Sequence, residues 1–228
     1  MKQLLKARVM AAIDRLAPWL PLTRELIYLG MVNEAIRSLK LNTPPLYPTA
    51  SAANYSLLYV LLRAASDTPG ARMLDIGAGQ SSLVLNALAE QDAQLQVTTL
   101  EGDETWARLI QQKVRHPVIH APLTRRDVQG RAAAAFELAK IPQNTFDIVV
   151  VDAPHGEKRH SRRGVLEVLD RVLDNEFLVI FDDAGRVGEQ DTIRAFLSQR
   201  HSLGVRLVFG SKAQILAFTP KYRHAAYY

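Results

Sequence analysis

Five carboxylates and one histidine stand where short apolar runs end: Asp75, Glu101, Asp152, Asp182 and Asp183, with His155 three residues past Asp152. Carboxylates in such places can hold an amine, a sugar diol or a divalent cation. A nearby imidazole can take a proton near neutral pH. Around Asp75 the stretch MLDIGAGQSS, Met73 to Ser82, has the spacing GxGxxS. A dinucleotide fingerprint ends in a third glycine, which lets helix and strand close around a pyrophosphate. Ser82 replaces that glycine here, and Asp75 would repel a pyrophosphate. The loop suits a cationic ligand or an amino group, so a nicotinamide-dependent oxidoreductase is disfavoured. Glu101 follows about one strand–helix unit later, where a carboxylate accepts hydrogen bonds from both hydroxyls of a ribose.

The elements that must position these residues are legible as apolar runs. Strands are expected at 71–76, 95–100, 117–120, 146–151, 177–182, 205–209 and 213–218. Helices are expected between the first five and before the sixth; RAAAAFELAK (131–140) reads as helix from its alanines. Trp106, Leu109, Ile110 and Val114 share one helix face, and Ile193, Phe196 and Leu197 another. Such alternation implies a parallel sheet covered on both faces, with its ligand crevice at the carboxyl ends of the strands. Gly210 and Ser211 leave no room for a last crossover helix, so the final pair is expected as an antiparallel hairpin. The fold class is therefore α/β: a doubly wound, mostly parallel seven-stranded sheet with an antiparallel last strand and an N-terminal helical extension.

Residues 1–65 form that extension and a lid segment, and 66–228 the sheet domain. Leu5, Val9, Ala12, Ile13 and Leu16 follow helical spacing, with Lys2, Lys6, Arg8 and Arg15 beside them. Pro18 and Pro21 end this helix, and a second is expected over Leu22–Leu39. The first helix is expected to dock on its own domain or on a second subunit, as in a homodimer; peripheral membrane contact through residues 1–20 is the alternative. A third helix is expected from Ser51 to Ala65, after a proline-rich stretch, and Tyr47–Tyr55 is a candidate lid.

Composition narrows the function. No cysteine is present, which excludes disulfides, zinc–thiolate sites and thiol catalysis. The net charge of +5 favours acidic partners, but aromatic content is only 7% and scattered, so a nucleic-acid partner is not expected. No apolar run reaches the ~20 residues of a membrane span. The N-terminus does not read as a signal peptide, and a cytoplasmic location is expected, with membrane contact at most peripheral.

The ordered set LDIGAG, Glu101 at the end of the second strand, FDIVVVDAP as the fourth strand, and the terminal hairpin resembles the class I S-adenosylmethionine-dependent methyltransferases over residues 71–220. The resemblance implies a Rossmann-like fold and S-adenosylmethionine as cofactor. Gly77, Ala78, Gly79 and Ser81 would border its methionine part, and Asp75 would hold its amino group directly or through water. Glu101 would bind the ribose, with Gly102 and Asp103 near the adenosine. Ala121 to Leu123 would lie where adenine sits, without the acid often found there.

The resemblance also places DAPHG at the transferred methyl, so Asp152 and His155 are the candidate catalytic residues, His155 as base. Asp152, Asp182 and Asp183 at adjacent strand ends would repel one another without a cation. Oxygen ligands there suit magnesium or manganese, similar to metal-dependent O-methyltransferases. Lys158, Arg159, His160, Arg162 and Arg163 form a basic segment suited to an acidic acceptor. DAPHG…RRG has a short likeness to glycan methyltransferases. The function expected is O-methylation of a small or glycan-like hydroxyl acceptor. The alternative is a non-catalytic cofactor-binding or partner-docking protein on the same scaffold.

Overall fold

The computed structural model describes residues 1–48 and 52–228. Its chain runs α1 (Lys2–Leu16), α2 (Trp19–Ser38), α3 (Tyr55–Ser66), β1 (Arg72–Ile76), α4 (Gln80–Gln91), β2 (Gln96–Glu101), α5 (Glu104–Gln111) and β3 (Val118–His120). It continues through β4 (Leu123–Asp127), β5 (Ala132–Phe136), β6 (Phe146–Val151), α6 (Val165–Val172), β7 (Leu173–Phe181), α7 (Val187–Ser198), β8 (Gly204–Phe209) and β9 (Ala213–Phe218). Seven strands form one sheet in the order β3-β2-β1-β6-β7-β9-β8. The pairs from β3 to β7 are parallel. β9 is antiparallel to both β7 and β8. The expected α/β class and the antiparallel last strand are as read from the sequence.

Strand alternation sorts the core onto the two faces of the sheet. Met73, Ile148, Val150, Leu178 and Ile180 face the side covered by α2, α3 and α4. Leu74, Ile76, Val149, Val151 and Val179 face α6, α7 and part of α1. By the same parity Asp75, Asp152 and Asp182 all belong to the first face. α3 is nearly all core, with Leu57, Leu58, Leu61 and Leu62 buried; each such side chain contributes about 1.5–3 kcal/mol of burial. The extension and the sheet domain therefore share their cores rather than standing apart.

Several expected elements differ. RAAAAFELAK is not a helix: Ala132–Phe136 is β5, paired with β4 in a separate two-stranded ribbon. Gln129 and Gly130 both take positive φ in its two-residue turn, the geometry a tight hairpin requires. Ala133 and Ala135 are buried, and a Cβ on Gly164 would lie 2.4 Å from Ala135 Cα. This close approach of β5 to the start of α6 overrides alanine's helical preference.

α2 begins at Trp19 rather than Leu22, because Pro21 falls in the first turn, where its missing N–H has no intrahelical partner to lose. α3 starts at Tyr55, with Asn54 accepting from the Leu57 amide; the expected start at Ser51 lies outside the described residues. Of the expected face Ile110 and Val114 are buried, whereas Trp106 and Leu109 are exposed and Ala107 is buried in addition. α1 buries Leu4 and Ala7, leaving Leu5, Val9, Ile13 and Leu16 exposed.

Candidate active site

The carboxyl ends of β1, β2 and β6 open into one cleft of about 1630 Å³, closed on one side by the segment from Asn42 to Tyr47. The loop after β1 is held in place from several directions. Gly77 has φ +111, and a Cβ there would lie 3.0 Å from Ala153 Cβ. Only glycine satisfies both demands. At Gly79 the added Cβ would meet no atom within 4 Å, so that side of the loop is free for a ligand. The N-terminus of α4 follows directly and favours a carboxylate group there.

Asp75 is not on the cleft wall. It is fully buried, and its Oδ2 accepts from the hydroxyls of Ser81 (3.1 Å) and Ser82 (2.6 Å). Burial pushes its carboxyl up to about 7 against the pull of the two serines. Asp75 therefore fixes the turn into α4 from behind rather than touching an amino group directly. Ser82 gains a defined role as well: its hydroxyl also accepts from the Gly79 amide (3.1 Å).

Glu101 is on the wall. Its Oε2 accepts from the Ala78 amide (2.9 Å), and its Oε1 from Gly102 (2.7 Å) and Asp103 (2.9 Å). Three backbone donors thus fix the carboxylate with lone pairs left toward the cleft. Asp103 lines the cleft and caps α5, accepting from the Trp106 amide (2.7 Å). Leu123 opens β4 against Gly102, where an added Cβ would lie 2.7 Å from its Cδ1. Leu123 and Trp106 supply apolar wall.

Trp106 was not singled out as a site residue; its indole N–H donates to Ala78 O (2.7 Å) and braces the loop. Gln80 was also missed. Its amide pairs with the Tyr47 backbone, donating to Tyr47 O (2.7 Å) and accepting from Tyr47 N. The candidate lid thus reaches the cleft at Tyr47, Ala52 and Ala53.

At the other end of the cleft stand Asp152, His155, Arg162, Asp183 and Arg186. Asp183 takes φ +58, which turns the chain so that both it and Asp182 stay near Asp152; carboxylate oxygens of all three lie within 4.8 Å of one another. Burial and the charge of Asp182 raise the Asp152 carboxyl well above the ordinary range.

Arg162 reaches into this cluster. Its guanidinium donates to Asp152 Oδ1 (3.0 Å), Asp183 Oδ2 (2.9 Å) and the carbonyls of Val151, Pro154 and Asp182. Arg186 lies 2.9 Å from Asp183, and Lys212 3.8 Å from Asp182. Three cations thus meet three carboxylates. The donor set does not fit a magnesium or manganese centre while Arg162 bridges two of its members. The counter-charge expected from a metal is supplied by the chain.

The basic segment disperses accordingly. Arg162 turns inward, Arg159 pairs with Asp191 (2.6 Å), and Arg163 donates to Val128 O (2.9 Å). His155 and Lys158 remain exposed. His116, outside the cleft, is buried against Thr99 (2.9 Å), and burial lowers its imidazole to about 4.

Strand order, the glycine loop before a helix, and a fixed acid ending β2 together define the class I S-adenosylmethionine-dependent methyltransferase fold. The fold is similar to SAH-bound methyltransferase PaMTH1 of Podospora anserina (15% identity, 83% of this chain, 88% of that one, TM-score 0.53). It is also similar to a precorrin-6y C5,15-methyltransferase of Geobacter metallireducens (14%, 79% and 94%, 0.51). A lesser likeness is to a 16S rRNA N2 G1207 methyltransferase of T. thermophilus (18%, 72% and 42%, 0.49). No curated protein matches the sequence. Residues 33–205 match the family described as Conserved hypothetical protein 95; the chain belongs to this family, and is an S-adenosylmethionine-dependent methyltransferase.

Proposed function

We propose that the protein methylates a hydroxyl of a small or glycan-like acceptor, preferentially one bearing a carboxylate. The observation that carries this reading is a single cleft lined at one end by Glu101 and at the other by His155 and Arg186. When bound, S-adenosylmethionine supplies an electrophilic methyl group on a sulfonium. The chain's own residues do the rest. Glu101 accepts from a diol, Leu123 and Trp106 give an apolar rest for a planar ring, and the α4 N-terminus receives a carboxylate. Arg162 holds Asp152 and Asp183 rigid, so the acceptor end keeps its shape. His155 takes the hydroxyl proton, and Arg186, half-exposed, attracts an anionic acceptor. Alignment of donor and acceptor supplies the remainder of the acceleration.

The test couples calorimetry with turnover. Glu101→Ala should abolish binding of S-adenosylhomocysteine in folded protein. With a panel of uronic acid glycans, phenols, free sugars and RNA, the native chain should release S-adenosylhomocysteine with a hydroxyl acceptor. His155→Gln should lower kcat by about 10²–10⁴ with cofactor affinity unchanged. Cofactor binding without turnover on any acceptor would favour a binding protein instead, and turnover on RNA alone would overturn the glycan-like reading.

A further inference from the structure

α1 presents two opposite faces. Leu4 and Ala7 are buried against the sheet, and Ala11 is partly covered there. The other face carries Leu5, Val9, Ile13 and Leu16, which are 65%, 50%, 39% and 84% exposed. At 3.6 residues per turn these four form one stripe. Lys2 and Lys6 border it on one side and Arg8 and Arg15 on the other, all exposed. α2 continues the pattern: Trp19, Leu22, Leu26, Ile27 and Met31 are between 45% and 66% exposed. Isolated exposed apolar residues need no explanation; a run of nine on two successive helices does.

Charge decides what covers this face. Residues 1–33 contain only two acids, and neither is free. Asp14 is held by Arg24, and Glu25 accepts from Asn54 Nδ2 (2.8 Å) and the amides of Tyr55 (2.9 Å) and Ser211 (2.7 Å). The rim of the α1 stripe is thus purely cationic; on α2 the next acid, Glu34, is paired with Arg37 (2.6 Å). A second copy laid face to face along α1 would oppose cations to cations with no free acid on α1 to receive them.

We infer that α1 and the first half of α2 dock the protein on an anionic lipid surface. The stripe enters the headgroup boundary, and the basic rim lies among lipid phosphates. Trp19 sits at the helix junction, with the amphipathic ring that favours that depth. Among the described residues no helix is long and apolar enough to cross a membrane, so the contact is peripheral.

Co-sedimentation of the full chain with vesicles tests this. Vesicles of phosphatidylcholine mixed equally with phosphatidylglycerol should carry the protein down, and added salt should release it. Vesicles of phosphatidylcholine alone should bind far less. Each cation near an anionic surface contributes about fivefold, so Lys2→Gln with Lys6→Gln should weaken binding about 25-fold. Leu5→Glu with Leu16→Glu should abolish it while S-adenosylhomocysteine binding, which uses no residue of α1, stays intact. Three results would overturn the inference: no binding to the anionic vesicles, equal binding to both kinds, or a stable dimer in light scattering that Leu5→Glu and Leu16→Glu dissociate.

Discussion

Asp75 shows how one buried carboxyl couples stability to pH. Its folded-state value is raised to about 7 by burial, against about 4 in an unfolded chain. The stabilisation from its protonated form is complete below the lower value and is lost as pH rises through the higher. Asp75→Asn keeps an acceptor for Ser81 and Ser82 but cannot ionise. The melting temperature of the variant relative to the native chain should therefore increase between about pH 4 and pH 8; a flat difference would contradict the assignment. Arg162 works in the opposite sense. Arg162→Ala should cost about 3–5 kcal/mol in urea unfolding, because it strands Asp152 and Asp183 without their shared partner. Manganese should then raise the melting temperature of this variant and leave that of the native protein unchanged. If instead chelation with EDTA inactivated the native enzyme, the cation assigned to Arg162 would be wrong. The three acids were legible from sequence because each ends an apolar run. Their partner was not, because Arg162 is brought inward by a loop with positive φ at His160 and Arg162, a turn that no periodicity records.

At the scale of elements, the strands of the main sheet were legible and the ribbon of β4 and β5 was not. Strands buried on both faces are continuous apolar runs, as in FDIVVV. The ribbon is held by Gly164, a contact distant in sequence, and its alanines by themselves favour a helix. The two-residue turn at Gln129 and Gly130 was the available signal. Gly164→Ala should push β5 from α6 and cost about 1–3 kcal/mol, with weakened cofactor binding, since β4 carries Leu123 into the cleft. Loss of stability without loss of affinity would show that the ribbon does not shape the site. The N-terminal helix was read correctly as amphipathic, but its larger apolar stripe was expected to dock on the protein or on a second copy, with peripheral membrane contact as the alternative. The sheet side takes the smaller stripe of Leu4 and Ala7 instead, with Ala7 and Ala11 letting the helix approach closely at Gly185.

For the molecule as a whole, no cleft residue comes from α1. Removing residues 1–17 should lower the melting temperature by about 5 °C, the burial of Leu4 and Ala7 being lost, and leave S-adenosylhomocysteine affinity unchanged in calorimetry. A large drop in affinity would mean that α1 supports the cleft through the two loops it flanks, at Gly156 and at Arg186. Family and fold give the methyltransferase class, while the acceptor end depends on loops whose contacts arise only in three dimensions.

The position of β9 bears on the order in which the chain can assemble. It is the last strand of the sheet to leave the ribosome, yet it belongs between β7 and β8, and all six of its residues are buried. Until it arrives, β7 has an open edge and β8 has no neighbour at all. Both are unpaired strands of the kind that capture other chains. The nascent protein therefore carries its greatest risk of aggregation between the synthesis of β7 and the insertion of β9. Substitutions that slow β9 insertion, such as Ile215→Asn, should lower yield in cells by more than they lower the stability of the protein that does fold.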